Sequence, residues 1–313
     1  MGRKLMRFLV TGAQGFIGSY VVDQLIELGH DPIIFDRHRR YSTDVEFWLG
    51  DLTDYASVTE AVGNSDRVIH CAGVLGTSET INNPTPAVET NIIGGLNIFQ
   101  AMRQHNVPGT YVTVGNYWMN NSYSITKTTA ERFAWMFNSE HGTRIAVVRA
   151  LNAYGPRQKI GPVRKIMPNF IVPALKGEPI TIYGDGRQIM DMIYVGDVAH
   201  ILIEAAMRIE LDHYRWSPQR DQDSPCKYEA GTGRITTVND IASIVLAELG
   251  LEFIEGETVQ HVPMRGGEPV GSVVVGNPDT LVPLYDGSVN LKSLEDGVRE
   301  TIIYYQEVLN PLI

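Results

Sequence analysis

The chain has 313 residues, enough for one large or two coupled domains, and its 43% hydrophobic and 20% charged residues suit a globular protein with a sizeable core. A formal charge of -10 argues against a nucleic-acid or anionic-membrane partner, and no run of about 18 apolar residues is present to cross a bilayer. Cys71 and Cys226 share neither metal-ligand nor redox spacing, and the start MGRKLMRFLV is too short for a secretory core with its cleavage site, so a cytoplasmic location is expected.

The first half of the chain alternates between short β-rich runs and longer helical patterns. FLVT (8–11) precedes FIGSYVVDQLIELG (16–29), and PIIFD (32–36) follows. VEFWLG (45–50) leads to YASVTEAVG (55–63), RVIHCA (67–72) to PAVETNIIGGLNIFQAMRQHN (86–106), and GTYVTV (109–114) to SYSITKTTAERFAWMFNSEHG (122–142), before RIAVVRALN (144–152). Strand–helix alternation with nearly continuous Val, Ile and Phe in the strands predicts an α/β fold, a doubly wound parallel sheet over 1–155. Past Pro156 the pattern changes. GPRQKIGPVRKIMP (155–168) is a basic Pro/Gly loop, ITIYGDG (180–186) and MIYVGD (192–197) read as short strands ending in turns, and LDHYRWSPQRDQDSPCKYE (211–229) reads as an exposed loop. Helices are expected over 238–250 and 293–309. This predicts a smaller C-terminal α+β domain over 156–313, with the segment 181–208 returning to the first sheet.

Gly12, Gly15 and Gly18 sit at three-residue intervals where the first strand hands over to the first helix. Gly12 allows a tight turn, Gly15 lets a diphosphate approach the backbone, and Gly18 lets the helix pack closely, while the helix N-terminus offers free N–H groups to an anion. Such a turn alone also fits a purely structural role. Its position, with Asp36 ending the second strand 18 residues after Gly18, points to a dinucleotide whose adenosine ribose would donate hydrogen bonds to that carboxylate. Asp36 favours NAD over NADP, because a carboxylate repels a 2′-phosphate. Arg37, Arg39 and Arg40 follow at once and either blunt that preference or form a solvated loop.

Tyr123 and Lys127 are four residues apart and share a helix face. A nearby ammonium lowers a phenol's pKa and fits it to exchange a proton with a sugar hydroxyl during hydride transfer. His70, at the end of an apolar strand, reads as a core residue.

With these motifs the chain resembles the extended short-chain dehydrogenase/reductase family of NAD-dependent sugar-nucleotide epimerases and dehydratases, a Rossmann-type fold. TGAQGFIG is similar to the family's cofactor loop, where Gln14, Phe16 and Ile17 accompany the glycines, and GDLTD (50–54) to the segment whose Asp51 and Leu52 flank the adenine. HCAG, with Cys71, Ala72 and Gly73, resembles the loop under the cofactor, and ETNIIGGLNIFQA the helix carrying Asn91. YSITKTTAE, VVRALNAYGPRQ, IYGDGRQIMDMIYVGDVA, YEAGTG and RGGEP match further landmarks. The resemblance implies NAD as cofactor and a nucleotide-diphosphate sugar as substrate, with inversion at C4 through a transient 4-keto sugar. Tyr123 would be the acid/base, Lys127 its tuner and ribose ligand, and Asn152 a substrate contact. A homodimer through a four-helix bundle is implied as well.

Three departures matter. The strand-end Ser/Thr of the family aligns with Val114, with Thr113 one residue early, so Thr113 serves only if the strand end bends. The loop from Thr113 to Tyr123 is short, which either leaves the site more open or leaves Asn116, Tyr117 or Trp118 to line it. The usual diphosphate-gripping Arg is Met190, leaving Arg187 or the basic Arg157, Lys159, Arg164 and Lys165 as substitutes, alongside Arg265 at a second expected position. The acidic pair of the family's dehydratases is replaced by Gly115 and Asn116, which disfavours a conventional 4,6-dehydratase. A nucleotide-sugar reductase, an atypical dehydratase and a non-catalytic dinucleotide-binding regulator stay open as alternatives.

Overall fold

The computed structural model describes residues 5–39, 44–209 and 227–309. Strand β1 (Arg7–Thr11) is followed by α1 (Phe16–Glu27), β2 (Asp31–Asp36), β3 (Glu46–Leu49), α2 (Tyr55–Gly63) and β4 (Arg67–His70). A short α3 (Thr85–Ala87) runs through a π-helical stretch, Val88–Ile93, into α4 (Gly94–His105), and β5 (Gly109–Val114), α5 (Ser122–His141) and β6 (Ile145–Ala150) complete the alternation. These strands pair in parallel, and β4, β5 and β6 are buried along their whole length, as strands covered on both faces must be.

The chain continues through β7 (Asn152–Tyr154), α6 (Ile166–Leu175), β8 (Ile180–Tyr183), β9 (Ile189–Met190), β10 (Met192–Tyr194) and α7 (Val195–Arg208). Then come β11 (Lys227–Ala230), β12 (Thr236–Thr237), α8 (Val238–Glu248), β13 (Val259–Val262), β14 (Val273–Val274), a 3-10 turn (Pro278–Leu284) and α9 (Leu294–Leu309). The main sheet has seven strands in the order β3-β2-β1-β4-β5-β6-β11. The order reverses between β1 and β4, and such a reversal opens a crevice at the carboxyl ends of the strands.

Apolar clusters cover both faces of the sheet. One joins Val21 and Leu25 of α1 to Val198 and Leu202 of α7, and the other joins Val58 of α2 to Ile98 and Phe99 of α4 and Ala134 of α5. A third core packs Ile171 of α6, Ile241 of α8 and Val298 of α9 around Tyr154, whose hydroxyl donates to the Leu294 carbonyl at 3.2 Å. No helix among the described residues is long and apolar enough to cross a membrane.

Several elements differ from the sequence-based expectation. The single helix expected over 86–106 is interrupted by the π-helical stretch that carries Asn91. π-helical turns are rare and have no residue signature of their own, so a helical pattern is read as α-helix throughout. Gly196 and Asp197 do not form a turn. They lie in the first turn of α7, where the Asp197 carboxylate suits the helix dipole and accepts from the Lys292 N–H at 2.8 Å. Of the loop expected over 211–229, residues 211–226 lie outside the described residues, and so do Arg40 and Cys226. Lys227, Tyr228 and Glu229 instead form β11 at the edge of the main sheet, paired to β6. Of the segment 181–208, α7 packs on that sheet, whereas β8 pairs with β13, β9 with β12 and β14, and β10 with β7.

Candidate active site

The glycine loop lies at the reversal point of the sheet. Gly12 has φ +67°, and a Cβ there would stand 2.7 Å from the backbone of Ala72, so the loops after β1 and β4 touch at this residue. A Cβ on Gly18 would lie 2.3 Å from the Gly12 carbonyl oxygen. The close packing expected of Gly18 is therefore against its own loop. Gly15 has extended backbone and leaves α1 without a side-chain cap, so the N–H groups of Phe16, Ile17 and Gly18 keep the helix-terminal positions that suit an anion. Asp36 accepts from the Gln14 N–H at 3.1 Å, which fixes its carboxylate beside the loop. Arg37 approaches Asp51 at 3.8 Å, and Asp51 accepts from the Thr53 N–H at 2.9 Å. The buried Leu52 packs where a Cβ on Gly94 would clash, at 2.6 Å, and so seats α4. A backbone cradle that a side chain would fill, with a carboxylate at its edge, fits a dinucleotide.

The loop after β4 forms the floor beside Lys127. Asn91 clamps it: its Oδ1 accepts from the Val74 N–H at 2.8 Å, while its Nδ2 donates to the Val74 carbonyl at 3.1 Å and the Thr126 hydroxyl at 2.9 Å. Both amide hydrogens being engaged, Asn91 positions the loop against α5. A Cβ on Gly73 would sit 3.0 Å from Asn91 Oδ1 and 3.8 Å from Lys127 Nζ, so that glycine keeps the space beside the lysine open. Lys127 is buried with its ammonium 4.3 Å from the Tyr111 ring centroid, and burial pulls its pKa down to about 7. Burial also raises the half-buried Tyr123 phenol and pushes the Cys71 thiol up to about 12. The lowering of Tyr123 expected from its lysine neighbour is thus reversed here, because desolvation opposes charge on both partners. His70 is a core residue: its Nδ1 lies 2.6 Å from the Thr11 hydroxyl and its ring stacks on Tyr111.

Strand β5 does not bend at its end, since pairing with β6 continues through Val114 and Ala150. Side-chain alternation already turns Thr113 to the face of Tyr111 and α5, and its hydroxyl donates to the Lys127 carbonyl at 3.4 Å. The expectation that Thr113 needs a bend to reach this face is corrected. Deeper along α5, Glu131 is fully buried and accepts from Arg149 Nε at 3.0 Å, and the Arg149 guanidinium stacks on Tyr117 at 4.0 Å. That stack anchors the short loop after β5. Within the loop, Asn116 donates to the Met119 sulfur at 3.4 Å, and Asn152 donates its amide to the Asp191 carbonyl at 3.1 Å.

A second polar cluster joins residues of the C-terminal half to the loop after β4. Arg265 pairs with Glu268, which also accepts from the Thr77 hydroxyl at 2.8 Å, and the Arg265 guanidinium lies 5.0 Å from the Tyr183 ring centroid. Lys165, at the start of α6, is close to this group. Burial lowers its pKa, with Glu79 opposing and Arg265 adding to the lowering. Arg187 is not brought here: its side chain is 84% exposed and stands 3.9 Å from Asp185. Arg157 pairs with Asp23 at 2.6 Å and stacks on Tyr20, on the α1 side. Of the basic candidates, Arg164 and Lys165 are therefore the ones placed with Arg265: the Arg164 guanidinium donates to the Tyr183 hydroxyl and its N–H to Glu79 at 3.3 Å, while Lys165 feels the charges of Glu79, Arg265 and Glu268.

Sequence reading missed the Glu131–Arg149 pair, Tyr183, Glu268 and Asn121. Asn121 left only the signal of an N-capping residue type just before the helix, whereas Glu131, Arg149, Tyr183 and Glu268 lie within the matched segments YSITKTTAE, VVRALNAYGPRQ, IYGDGRQIMDMIYVGDVA and RGGEP without a role read for them. The others meet across segments.

Comparison with known proteins finds relatives over most of the chain. The chain is 29% identical over 282 residues to a putative UDP-glucose 4-epimerase of Methanocaldococcus jannaschii, covering 82% of this chain and 86% of that protein. It is 26% identical over 340 aligned positions to a UDP-N-acetyl-alpha-D-glucosaminuronate decarboxylase of Bacillus cytotoxicus, covering 97% and 99%. In three dimensions it matches a Thermotoga maritima UDP-glucose 4-epimerase solved with UDP-glucose, at a TM-score of 0.82 and 26% identity, with 97% and 100% of the two chains covered. Residues 8–215 match the NAD dependent epimerase/dehydratase family, and the chain belongs to that family.

Proposed function

We propose that the protein is an NAD-dependent nucleotide-sugar epimerase that inverts C4. The observation that carries this reading is the placement of Tyr123 and the buried Lys127 on one helix beside the loop that Asn91 clamps at the reversal point of the sheet. NAD, when bound, supplies a hydride acceptor that can return the hydride and a positive charge that favours a phenolate. The residues of the glycine loop would hold its diphosphate and Asp36 its adenosine ribose. Tyr123 would take the proton of the sugar hydroxyl as the carbon-bound hydrogen departs, and give it back when hydride returns to the opposite face. Lys127 would share that proton load. Lys165 and Arg265 would grip the substrate diphosphate, in place of an arginine at Met190.

Gly115 and Asn116 follow β5 where a dehydratase would need carboxylates, which favours a reaction that only oxidises and re-reduces. The same site could serve a decarboxylase acting on a uronic acid, and product mass separates the two. An epimerase returns a product of the same mass, whereas a decarboxylase loses carbon dioxide. Incubating the protein with NAD and UDP- or dTDP-hexoses, hexuronic acids and N-acetylhexosamines should yield an isomer of unchanged mass. Loss of mass, or no conversion of any of them, would defeat the reading. Exposed Ile93, Ile125 and Met136 on the outer faces of the Asn91 and Tyr123 helices support a homodimer, in keeping with a cytoplasmic enzyme, which light scattering would weigh.

A further inference from the structure

The start of α5 meets the Arg265 segment through a single side chain. Asn121 is buried, and its Oδ1 accepts from the Ser124 N–H at 2.9 Å, capping the helix that carries Tyr123. Its Nδ2 turns the other way and donates to the Gly267 carbonyl at 3.2 Å. Gly267 fits there because it has φ +80° and no side chain; a Cβ would lie 3.0 Å from the Thr77 carbonyl oxygen and from Ile81, and 3.3 Å from the Asn121 Cβ. Glu268, the next residue, takes hydrogen bonds from Thr77 and Arg265, and the Ser122 hydroxyl donates to the Thr80 carbonyl at 3.1 Å. The helix start, the loop over 77–81 and the segment 265–268 therefore form one three-way joint.

We infer that Asn121 is a positioning residue that ties the seating of Arg265 to the N-terminus of the Tyr123 helix, so that the diphosphate end and the reacting end of the substrate are held at a fixed separation. The identity of that ligand rests on the reading above. The chemistry of the position explains the residue. Asp, Ser and Thr also cap helices, but only an amide caps with one end and donates across the joint with the other. Asn121→Ser keeps an acceptor for the Ser124 N–H and is too short to reach Gly267. Asn121→Asp keeps the cap and sets a carboxylate against the Gly267 carbonyl.

The test uses the full-length protein and both variants. Calorimetric titrations with UDP, dTDP and NAD are combined with melting curves and hydrogen–deuterium exchange. With the cap kept and no charge introduced, Tm should stay within about 2 °C of wild type in Asn121→Ser, and it should fall further in Asn121→Asp, where a buried carboxylate faces a carbonyl. Loss of one neutral hydrogen bond should weaken UDP or dTDP binding about five- to tenfold in Asn121→Ser, more in Asn121→Asp, while NAD affinity stays unchanged. Exchange should quicken over 264–272 and remain as in wild type over 122–141. Unchanged nucleotide affinity together with unchanged exchange at 264–272 would overturn the inference. So would an equal loss of nucleotide and NAD affinity, which marks general loosening. If wild type binds neither UDP nor dTDP, the nucleotide-sugar reading falls, and exchange at 264–272 alone decides whether the joint exists.

Discussion

The glycine loop and the corner around Arg265 are both suited to anions, but they are made of different material. The loop is backbone: seven consecutive residues, 12–18, whose donors are N–H groups and whose glycines are fixed by contacts with Ala72 and with the loop itself. The corner is side chains gathered from distant segments, with Thr77 and Glu79 after β4, Arg164 and Lys165 before α6, Tyr183 at the end of β8, and Arg265 and Glu268 before β14. A backbone cradle has one local spacing. A cationic corner can be assembled from several segments, so an arginine missing at one position, here Met190, can be replaced from another. The first kind of site tolerates almost no substitution and is visible in sequence. The second tolerates relocation and is hidden.

Between the two lies Tyr123, and its removal should have the largest effect. Tyr123→Phe is expected to lower kcat by about 10²–10⁴ while leaving both the loop and the corner able to bind, because general acid–base catalysis is worth that much and the ring is retained. A turnover assay beside NAD and UDP titrations checks it. A loss below tenfold, or a matching loss of binding, would show that the phenol is not the proton carrier.

Gly18→Ala attacks the backbone site directly. The added methyl would lie 2.3 Å from the Gly12 carbonyl oxygen, and neither atom belongs to a flexible side chain. Overpacking of this kind costs roughly 1–3 kcal/mol, and NAD affinity should fall with it. Urea unfolding and an NAD titration measure the two losses. Wild-type NAD affinity in this variant would mean that the loop's shape does not hold the cofactor.

Lys127 should leave its mark on stability. With its pKa drawn from 10.5 down to about 7 by burial, the unfolded chain binds a proton between those values that the folded chain lacks. Stability therefore rises with pH across that window, by about 1.4 kcal/mol per unit, and the contribution is smallest below the folded value. Lys127→Met should remove this slope, so the variant is more stable than wild type at pH 7 yet inactive. Urea melts from pH 7 to 9 suffice, since the Cys71 thiol, raised from 9.0 to about 12, acts only above that range. Identical slopes for the two proteins would contradict a desolvated ammonium.

How much could be read beforehand follows the same division. The parallel sheet, the glycine loop, Asp36 and the Tyr123–Lys127 face each depend on spacing within one segment, and sequence displays spacing. Asn91 could be named but its clamp on Val74 could not, since that contact joins a helix to the loop 17 residues before it. Thr113 is ambiguous in sequence because a one-residue alignment error exchanges sheet faces, and only the contact of its hydroxyl with the Lys127 carbonyl of α5 settles which face it takes. β11 was hidden in a polar stretch, because an edge strand needs only one partner. The joint at Asn121 depends on Gly267, 146 residues away, and no local pattern predicts such a contact.

The smallest effect, and the most direct test of relocation, compares two cations that sequence left equivalent. Lys165 is held near Arg265 with its pKa lowered by burial, so a bound diphosphate would restore favourable charge there. Arg187 keeps its side chain 84% exposed beside Asp185, where solvent screens it. Lys165→Met should therefore weaken UDP binding about tenfold, the scale of one charge-assisted hydrogen bond, and reduce its salt dependence. Arg187→Ala should leave both within about twofold, as expected for a solvated charge. Titration of each variant with UDP at two ionic strengths reads the contrast. If Arg187→Ala proves the weaker binder, the corner has been drawn around the wrong cation, and the segment over 184–188 must move toward the ligand in solution.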